Sequence, residues 1–187
     1  MVNKILKRTK FGNPILRQPA RVLSDEEILS DEIQQLIKDI KYTCDKKQYG
    51  VGFAAPQVGV SLALMVIAIK PTPTRPDREL FDRVAINPEI LEFIGKKQRM
   101  WEGCISFCLG NDTPYGETWR YKTIKVRYQN EKAQTITETL TGLPAHVFQH
   151  ETDHLNGILF VDNLTSPSTL VTASEFRKHI LPTLPKE

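Results

Sequence analysis

The fold of this chain is decided by residues 143–155, which read LPAHVFQHETDHL. The sequence predicts a compact helix from Leu143 to Leu155, because Asn156 and Gly157 directly after it are typical of a helix C-terminus. We expect this helix to lie at the centre of the fold, with strands packed around it.

The same segment carries the pattern H-E-x-x-H at His150, Glu151 and His154. Histidines four residues apart lie on the same helix face, so both can bind one metal ion while the glutamate reaches a water on that ion. The alternative is a pair of surface histidines on a polar helix, which we consider less favoured. The pattern predicts metal binding without specifying a reaction.

A catalytic metal site needs a third protein ligand and an open position for water. Downstream candidates, His179 and Glu175, belong to no extended motif. The better candidate lies upstream in residues 102–106, which read EGCIS. There Cys104 offers a thiolate, a strong ligand for a borderline or soft divalent metal, and Gly103 lets the backbone approach closely. Taken alone Cys104 is more often a core thiol, but the histidine helix reverses that preference.

The rest of the chain mixes helices and strands without strict alternation, which favours an α+β fold of mainly antiparallel strands. A capping box at Ser24 begins a helix, and a continuous apolar run indicates a buried strand. The predicted helices are 25–46, 143–155 and 174–180, and the predicted strands are 62–69, 84–93, 100–107, 124–129, 135–140 and 158–161. Prolines at Pro71, Pro73 and Pro76 predict a loop.

Composition indicates one domain over residues 1–187 of an ordinary globular protein, with 40% hydrophobic and 25% charged residues. Three cysteines, an odd number, make a disulfide framework improbable and favour a reducing compartment, so we expect a cytoplasmic protein. No apolar stretch is long enough to cross a membrane. The net charge of +3 favours solvated surface charge over polyanion binding, and nothing indicates a specific DNA partner.

Three motifs in this order resemble those of the peptide deformylase family: residues 50–57 (GVGFAAPQ), 102–106 (EGCIS) and 149–154 (QHETDH). The flanking residues 12–17 (GNPILR) and 155–160 (LNGILF) are also similar, so the resemblance covers about residues 5–163. It implies an enzyme that removes the formyl group from the N-terminal methionine of newly made proteins.

The resemblance implies a role for each motif residue. Cys104, His150 and His154 would bind the metal, Fe(II) first, with zinc, nickel or cobalt as substitutes. Glu151 would be the general acid and base, while the Gln57 side chain and the Ile105 backbone N–H would stabilise an oxyanion. The chemistry agrees, because a divalent metal lowers the pKa of water and fixed donors offset charge on the carbonyl oxygen.

The resemblance also implies how an N-formylmethionyl nascent peptide is bound. The residues around Gly50 and Gly52 would form an extended edge that pairs with the peptide backbone. The methionine side chain would enter an apolar pocket. The substrate-binding residues predicted on this basis are Gly50, Val51, Gly52, Glu102, Gly103, Leu143, His146 and Val147. Basic residues at the N-terminus suggest transient ribosome contact, although solvated charge is favoured for them.

Several positions depart from the family pattern. Ile105 stands where leucine is usual, and His146 stands where many members carry an aliphatic residue and others an arginine. Residues 109–119 look longer and lack an early arginine, whereas Arg120 matches a later one. We expect His146 to be pocket wall or helix surface, and we leave Asp153 open between a supporting contact to a ligand and the helix surface.

Two other functions remain open on the sequence. The H-E-x-x-H pattern alone is compatible with a metallopeptidase that cuts peptide bonds, which would not depend on Cys104. The altered segment 109–119 is compatible with a protein that binds acylated peptides without hydrolysing them.

Overall fold

The computed structural model describes residues 2–47, 50–71, 76 and 78–184. Its helices are α1 (Asp25–Leu29), α2 (Asp31–Lys47), α3 (Leu143–Leu155) and the short α4 (Ala173–Glu175). Its strands are β1 (Gly52–Ala54), β2 (Leu64–Ile69), β3 (Phe81–Gly103), β4 (Pro114–Gln129), β5 (Thr135–Thr141) and β6 (Val171–Thr172). The predicted α+β class is confirmed. Over these residues no helix has the length and apolarity that a membrane span requires.

The six strands form one antiparallel sheet in the order β1-β2-β3-β4-β5, with β6 paired to β4. Side chains of β2 alternate between two buried layers. Leu64 and Val66 pack with α1 and α2, whereas Met65 and Ile67 pack with α3. The continuous apolar run of β2 follows from this arrangement, because both faces of the strand are covered by helices.

Helix α3 lies against the inner face of the sheet and is buried along most of its length. The side chain of Gln149 fixes it to β4: Oε1 accepts from the Tyr121 N–H at 3.0 Å, and Nε2 donates to the Tyr121 carbonyl at 2.8 Å. The predicted bounds and the central position of this helix are confirmed.

Residues 25–47 form two helices, α1 and α2, where one helix over 25–46 was predicted. The capping box is present, since Ser24 Oγ accepts from the Glu27 N–H and the Glu27 carboxylate accepts from the Ser24 N–H. Ser30 then adopts an extended conformation, and its hydroxyl donates to the Glu27 carbonyl at 2.6 Å. This second serine ends α1 and allows α2 to begin one residue later.

Strand β3 is continuous where two strands, 84–93 and 100–107, were predicted. It pairs with β4 from Ile86 to Gly103, with three register shifts, and Gly95 within it has φ +84°. Bulges add residues on one strand without ending the pairing, so the intervening polar residues are still strand. The strand ends at Gly103, which places Cys104 in the turn that follows.

Other differences lie towards the C-terminus. The strand predicted at 158–161 is wrong: Phe160–Asn163 is a 3-10 helix, in which the Asp162 carboxylate accepts from the Leu159 N–H at 2.8 Å. The final helix starts at Ala173 and continues as π-helix over Phe176–Ile180. Pro71 and Pro76 lie outside helices and strands, as predicted, whereas Pro73 lies outside the described residues.

Candidate metal centre

Cys104, His150 and His154 meet where the turn after β3 faces the middle of α3. One ligand atom from each lies within 4.8 Å of the others, and Cys104 Sγ is 3.1 Å from His154 Nε2. The structure therefore brings the three predicted ligands together. The downstream candidates lie elsewhere: His179 and Glu175 are exposed and pair with each other at 3.3 Å.

The electrostatics of this cluster favour a thiolate. Burial opposes ionisation of Cys104, but the neighbouring His154 and His150 outweigh it and hold the pKa of the thiol well below its usual range. Burial also disfavours charge on His150, yet Glu102 and Cys104 raise its pKa well above the ordinary value. A buried thiolate beside two imidazoles is a donor set that suits a borderline divalent cation, so these residues fit such an ion.

Glu151 lies beside the cluster, 3% exposed, with no hydrogen-bond partner for Oε2 among the described residues. Burial raises the pKa of its carboxyl, and this outweighs the opposing effect of the two histidines. A carboxyl whose pKa is moved towards neutrality can both accept and donate a proton near physiological pH. The position and the pKa both suit a proton carrier.

The Gln57 side chain points its amide nitrogen into the cluster. Its Oε1 accepts from the Ala54 N–H at 2.8 Å, which fixes the orientation of the amide. Its Nε2 then lies 3.5 Å from Cys104 Sγ and 3.2 Å from His154 Nε2. Gln57 thus places its amide N–H groups at the candidate metal site.

Ile105 follows Cys104 in the turn after β3. Its carbonyl accepts from the Arg8 guanidinium. Its backbone N–H donates to no acceptor in the part of the chain that the structure describes. That N–H is available to a ligand.

Gly52 is packed tightly against α3. A Cβ at this position would collide with Oε1 of Glu151 and lie 2.6 Å from Cγ1 of Val147. Among the described strands β1 is the first in the sheet order and pairs with β2, and Gly50 before it has φ +94°. Glycine is needed at both positions, at Gly52 for close approach and at Gly50 for its backbone conformation.

Of the remaining predicted substrate residues, Val51 lies directly before β1, Gly103 ends β3 and Leu143 begins α3. Val51 and Leu143 pack against the core layer that contains Val147. A Cβ on Gly103 would lie 2.6 Å from the Tyr115 ring, so this glycine allows close packing of β3 on β4. The methionine pocket itself stays a prediction.

Sequence analysis missed a buried ionic network behind the cluster. The Arg120 guanidinium on β4 bridges the carboxylates of Glu102, at 2.7 and 3.2 Å, and Asp153, at 2.5 Å. Asn163 also donates to Asp153, at 2.9 Å, so this side chain is held in the network rather than free on the helix surface. The sequence analysis noted Arg120 and Asp153 individually. It could not relate them, because their contact depends on the packing of α3 on the sheet.

Glu102 is buried at the centre of this network. Burial opposes its ionisation, but His150, His146 and Arg120 outweigh that effect and hold the pKa of its carboxyl well below the usual range. Its Oε1 lies 3.6 Å from Nδ1 of His150. Glu102 therefore lies next to a predicted metal ligand, and its predicted role in the substrate pocket is separate from this contact.

Comparison with known proteins agrees with this geometry. A sequence model described as polypeptide deformylase matches residues 5–169. The peptide deformylase of Thermotoga neapolitana is 40% identical over 162 residues, covering 86% of this chain and 88% of that protein. That of Aquifex aeolicus is 39% identical over 168 residues, covering 90% and 92%.

A solved structure extends the agreement to three dimensions. The class I type b peptide deformylase of Acinetobacter baumannii, crystallised with Met-Ala-Ser bound, superposes with a TM-score of 0.79 at 35% identity. The match covers 87% of this chain and all of that one. The chain belongs to the peptide deformylase family, the hydrolases that remove the formyl group from N-terminal formyl-methionine.

Proposed function

We propose that residues 1–187 form one catalytic domain that deformylates N-formylmethionyl nascent peptides and releases formate. The observation that carries the proposal is the meeting of a cysteine sulfur, two imidazoles, a buried glutamate and a side-chain amide at one point of a deformylase fold. The tripeptide in the Acinetobacter baumannii structure supports a peptide with N-terminal methionine as the ligand class.

Cys104, His150 and His154 would hold one divalent cation. When bound, the cation supplies Lewis acidity that brings the pKa of a coordinated water near neutrality. Fe(II) is our choice for the cell, and Zn, Ni or Co would substitute, because a Cys-His-His set accepts all of them.

Glu151 moves the proton. Its carboxylate takes a proton from the attacking water and passes it to the amine nitrogen as the bond between that nitrogen and the formyl carbon breaks. Formate and a free N-terminal amine are the products. The buried Oε2, which has no hydrogen-bond partner within the described part of the chain, supports this role.

Two donors would offset the negative charge that develops on the formyl oxygen, the Nε2 amide of Gln57 and the backbone N–H of Ile105. Donors of this kind typically contribute on the order of 3 kcal/mol each to stabilising a transition state. The fixed amide of Gln57 and the available N–H of Ile105 support the assignment.

The peptide backbone would lie along the edge at Gly50–Gly52, which presents main-chain groups without side-chain obstruction. The methionine side chain would enter between Val51, Leu143 and Val147. We place the enzyme in the cytoplasm, in transient contact with the ribosome, to which the net charge of +3 is favourable.

The test uses purified protein loaded with Fe(II) or Ni(II) and a formyl-Met peptide. We expect formate release, and we expect Glu151→Ala to lower it by about 10²–10⁴-fold while the metal content is unchanged. Glu175→Ala is the control, because it removes an exposed carboxylate outside the candidate metal site, and it should retain full turnover. A Glu151→Ala enzyme with wild-type turnover, or cleavage of internal bonds in an unformylated peptide, would reject the proposal.

A further inference from the structure

His146 lies one helical turn before His150 on α3 and is only 8% exposed. Its Nε2 is 2.6 Å from Oε2 of Glu102. A carboxylate can only accept a hydrogen bond, so the imidazole donates through Nε2–H. His146 is therefore held inside the protein by a charge-assisted hydrogen bond and does not lie on the helix surface.

Each oxygen of Glu102 has two neighbours. Oε1 accepts from Nη2 of Arg120 at 2.7 Å and lies 3.6 Å from Nδ1 of His150. Oε2 accepts from Nε of Arg120 at 3.2 Å and from His146 at 2.6 Å. The fork of Arg120 sets the plane of the carboxylate, and the shorter bond from His146 holds its second oxygen, so that Oε1 stays on the Nδ1 side of the His150 ring.

We propose that His146 is a positioning residue for the metal ligand His150, acting through Glu102. A carboxylate on the Nδ1 side of the ring favours the orientation of His150 in which Nε2 faces the cation. Partners of this kind orient a ligating imidazole and fix its tautomer. The inference rests on the proposed metal site but concerns ligand orientation, not the reaction.

The competing assignment is the one predicted from sequence, in which His146 acts as a wall of the methionine pocket. A wall residue affects the fit of substrate. A positioning residue affects how well the protein binds the metal, whether or not substrate is present. The two assignments are separated by measuring metal affinity independently of turnover.

Two substitutions make the comparison. His146→Leu removes the donor and keeps apolar bulk, whereas His146→Gln can place an amide Nε2 near the position of the imidazole Nε2. Affinity for Co(II) is measured by competition with a chromophoric chelator, and the visible absorption of bound Co(II) reports its geometry. We expect His146→Leu to weaken Co(II) binding about tenfold and to alter the spectrum, and His146→Gln to restore both.

Kinetics on metal-saturated protein give a second readout. We expect His146→Leu to lower kcat with little change in KM for a formyl-Met peptide. Wild-type Co(II) affinity in His146→Leu together with a raised KM would overturn the proposal in favour of the pocket wall. A weakened affinity that His146→Gln does not restore would also overturn it, since the loss would then not depend on the donor.

If His146→Leu fails to fold, His146→Asn replaces it, because its amide is one bond too short to reach Glu102. The proposal then requires Gln to bind Co(II) more tightly than Asn, and equal affinities contradict it. A wild-type protein that binds Co(II) but releases no formate would contradict the proposed function, and the affinity comparison would still decide the role of His146.

Discussion

At the scale of single residues, Gly52 allows β1 to lie close to Glu151 because it has no side chain. Because a Cβ there would collide with Oε1 of Glu151 and contact Val147, we expect Gly52→Ala to push the carboxyl out of place. A displacement of about 1 Å can cost roughly 100-fold in rate, so kcat/KM should fall by about that factor. Formate release and metal content are measured on the same sample, and the metal content should not change.

Gly95→Ala is the matched control for that substitution. Gly95 has φ +84° and open space around its Cβ position, so alanine there strains the backbone of β3 without touching the site. It should lower stability modestly and leave kcat/KM intact. Equal turnover in Gly52→Ala and wild type would contradict the prediction, because the added Cβ would then not have displaced the Glu151 carboxyl from its working position.

The surroundings of Cys44 make its thiol less reactive than an ordinary cysteine. Burial raises the pKa of the Cys44 thiol to about 12, with a further contribution from the Glu151 charge. At pH 8 its thiolate fraction is roughly a thousandfold below that of an ordinary cysteine. Cys108, in the segment after the Cys104 turn, is a free and partly buried thiol. We expect iodoacetamide to label Cys108 long before Cys44, as followed by peptide mass spectrometry. Labelling of both at the same rate would contradict the assigned environment of Cys44.

At the scale of elements, the start of α1 depends on a charged capping box. The hydrogen bond from Arg21 and that from the Ser24 N–H lower the pKa of Glu27 to about 2. The folded pKa lies below the unfolded one, so the stabilisation is fully present above about pH 5 and is lost as the pH falls towards 2. The thermal midpoint of Glu27→Gln should approach that of wild type between pH 5 and pH 3. A constant difference over this range would contradict the linkage.

Arg120 joins three elements, since it lies on β4 and its partners lie on β3 and α3. Arg120→Met leaves two carboxylates partly buried without their cation, and breaking a buried pair in this way typically costs about 3–5 kcal/mol. We expect that loss in urea unfolding of the metal-free protein. Arg127→Met is the control on the same strand, because its exposed pair with Glu89 is worth less than about 1 kcal/mol. Equal losses in both variants would be inconsistent with this difference in burial.

How far the sequence predicts each element depends on where its stabilising contacts lie. The bounds of α3 were predictable because its end signal, Asn156-Gly157, is local. The continuity of β3 was not, because its bulges are defined by pairing with β4. The break at Ser30 was not predicted, because the apolar residues on both sides of it keep a helical spacing.

The candidate site also contains residues that a local sequence pattern predicts and residues whose contacts depend on the fold. His150, Glu151 and His154 form a local pattern on one helix, whereas Cys104 joins them only through the fold. Cys104 was a candidate from its chemistry and the neighbouring Gly103, and the resemblance to a family then supported it. The contacts of Arg120 and His146 with Glu102 depend on how α3 packs on the sheet, and no local spacing encodes them.

At the scale of the whole molecule, the candidate metal site joins two parts of the chain that are distant in sequence. Cys104 lies directly after β3, and both histidines belong to the helix that packs against β1, β2 and β4. A ligand that binds the folded state alone stabilises it by mass action. The cation should therefore stabilise the entire fold as well as support catalysis.

Metal removal tests this coupling. At a free metal concentration about 1,000 times the Kd, binding should add about 4 kcal/mol to the free energy of unfolding. We expect a strong chelator to lower the thermal midpoint of wild type and metal readdition to restore it. Cys104→Ser, which lacks the thiolate, should melt near the metal-free wild type with or without metal. A wild-type midpoint that does not respond to chelation would show that Cys104, His150 and His154 do not bind one ion together, because a shared ion must couple the end of β3 to α3.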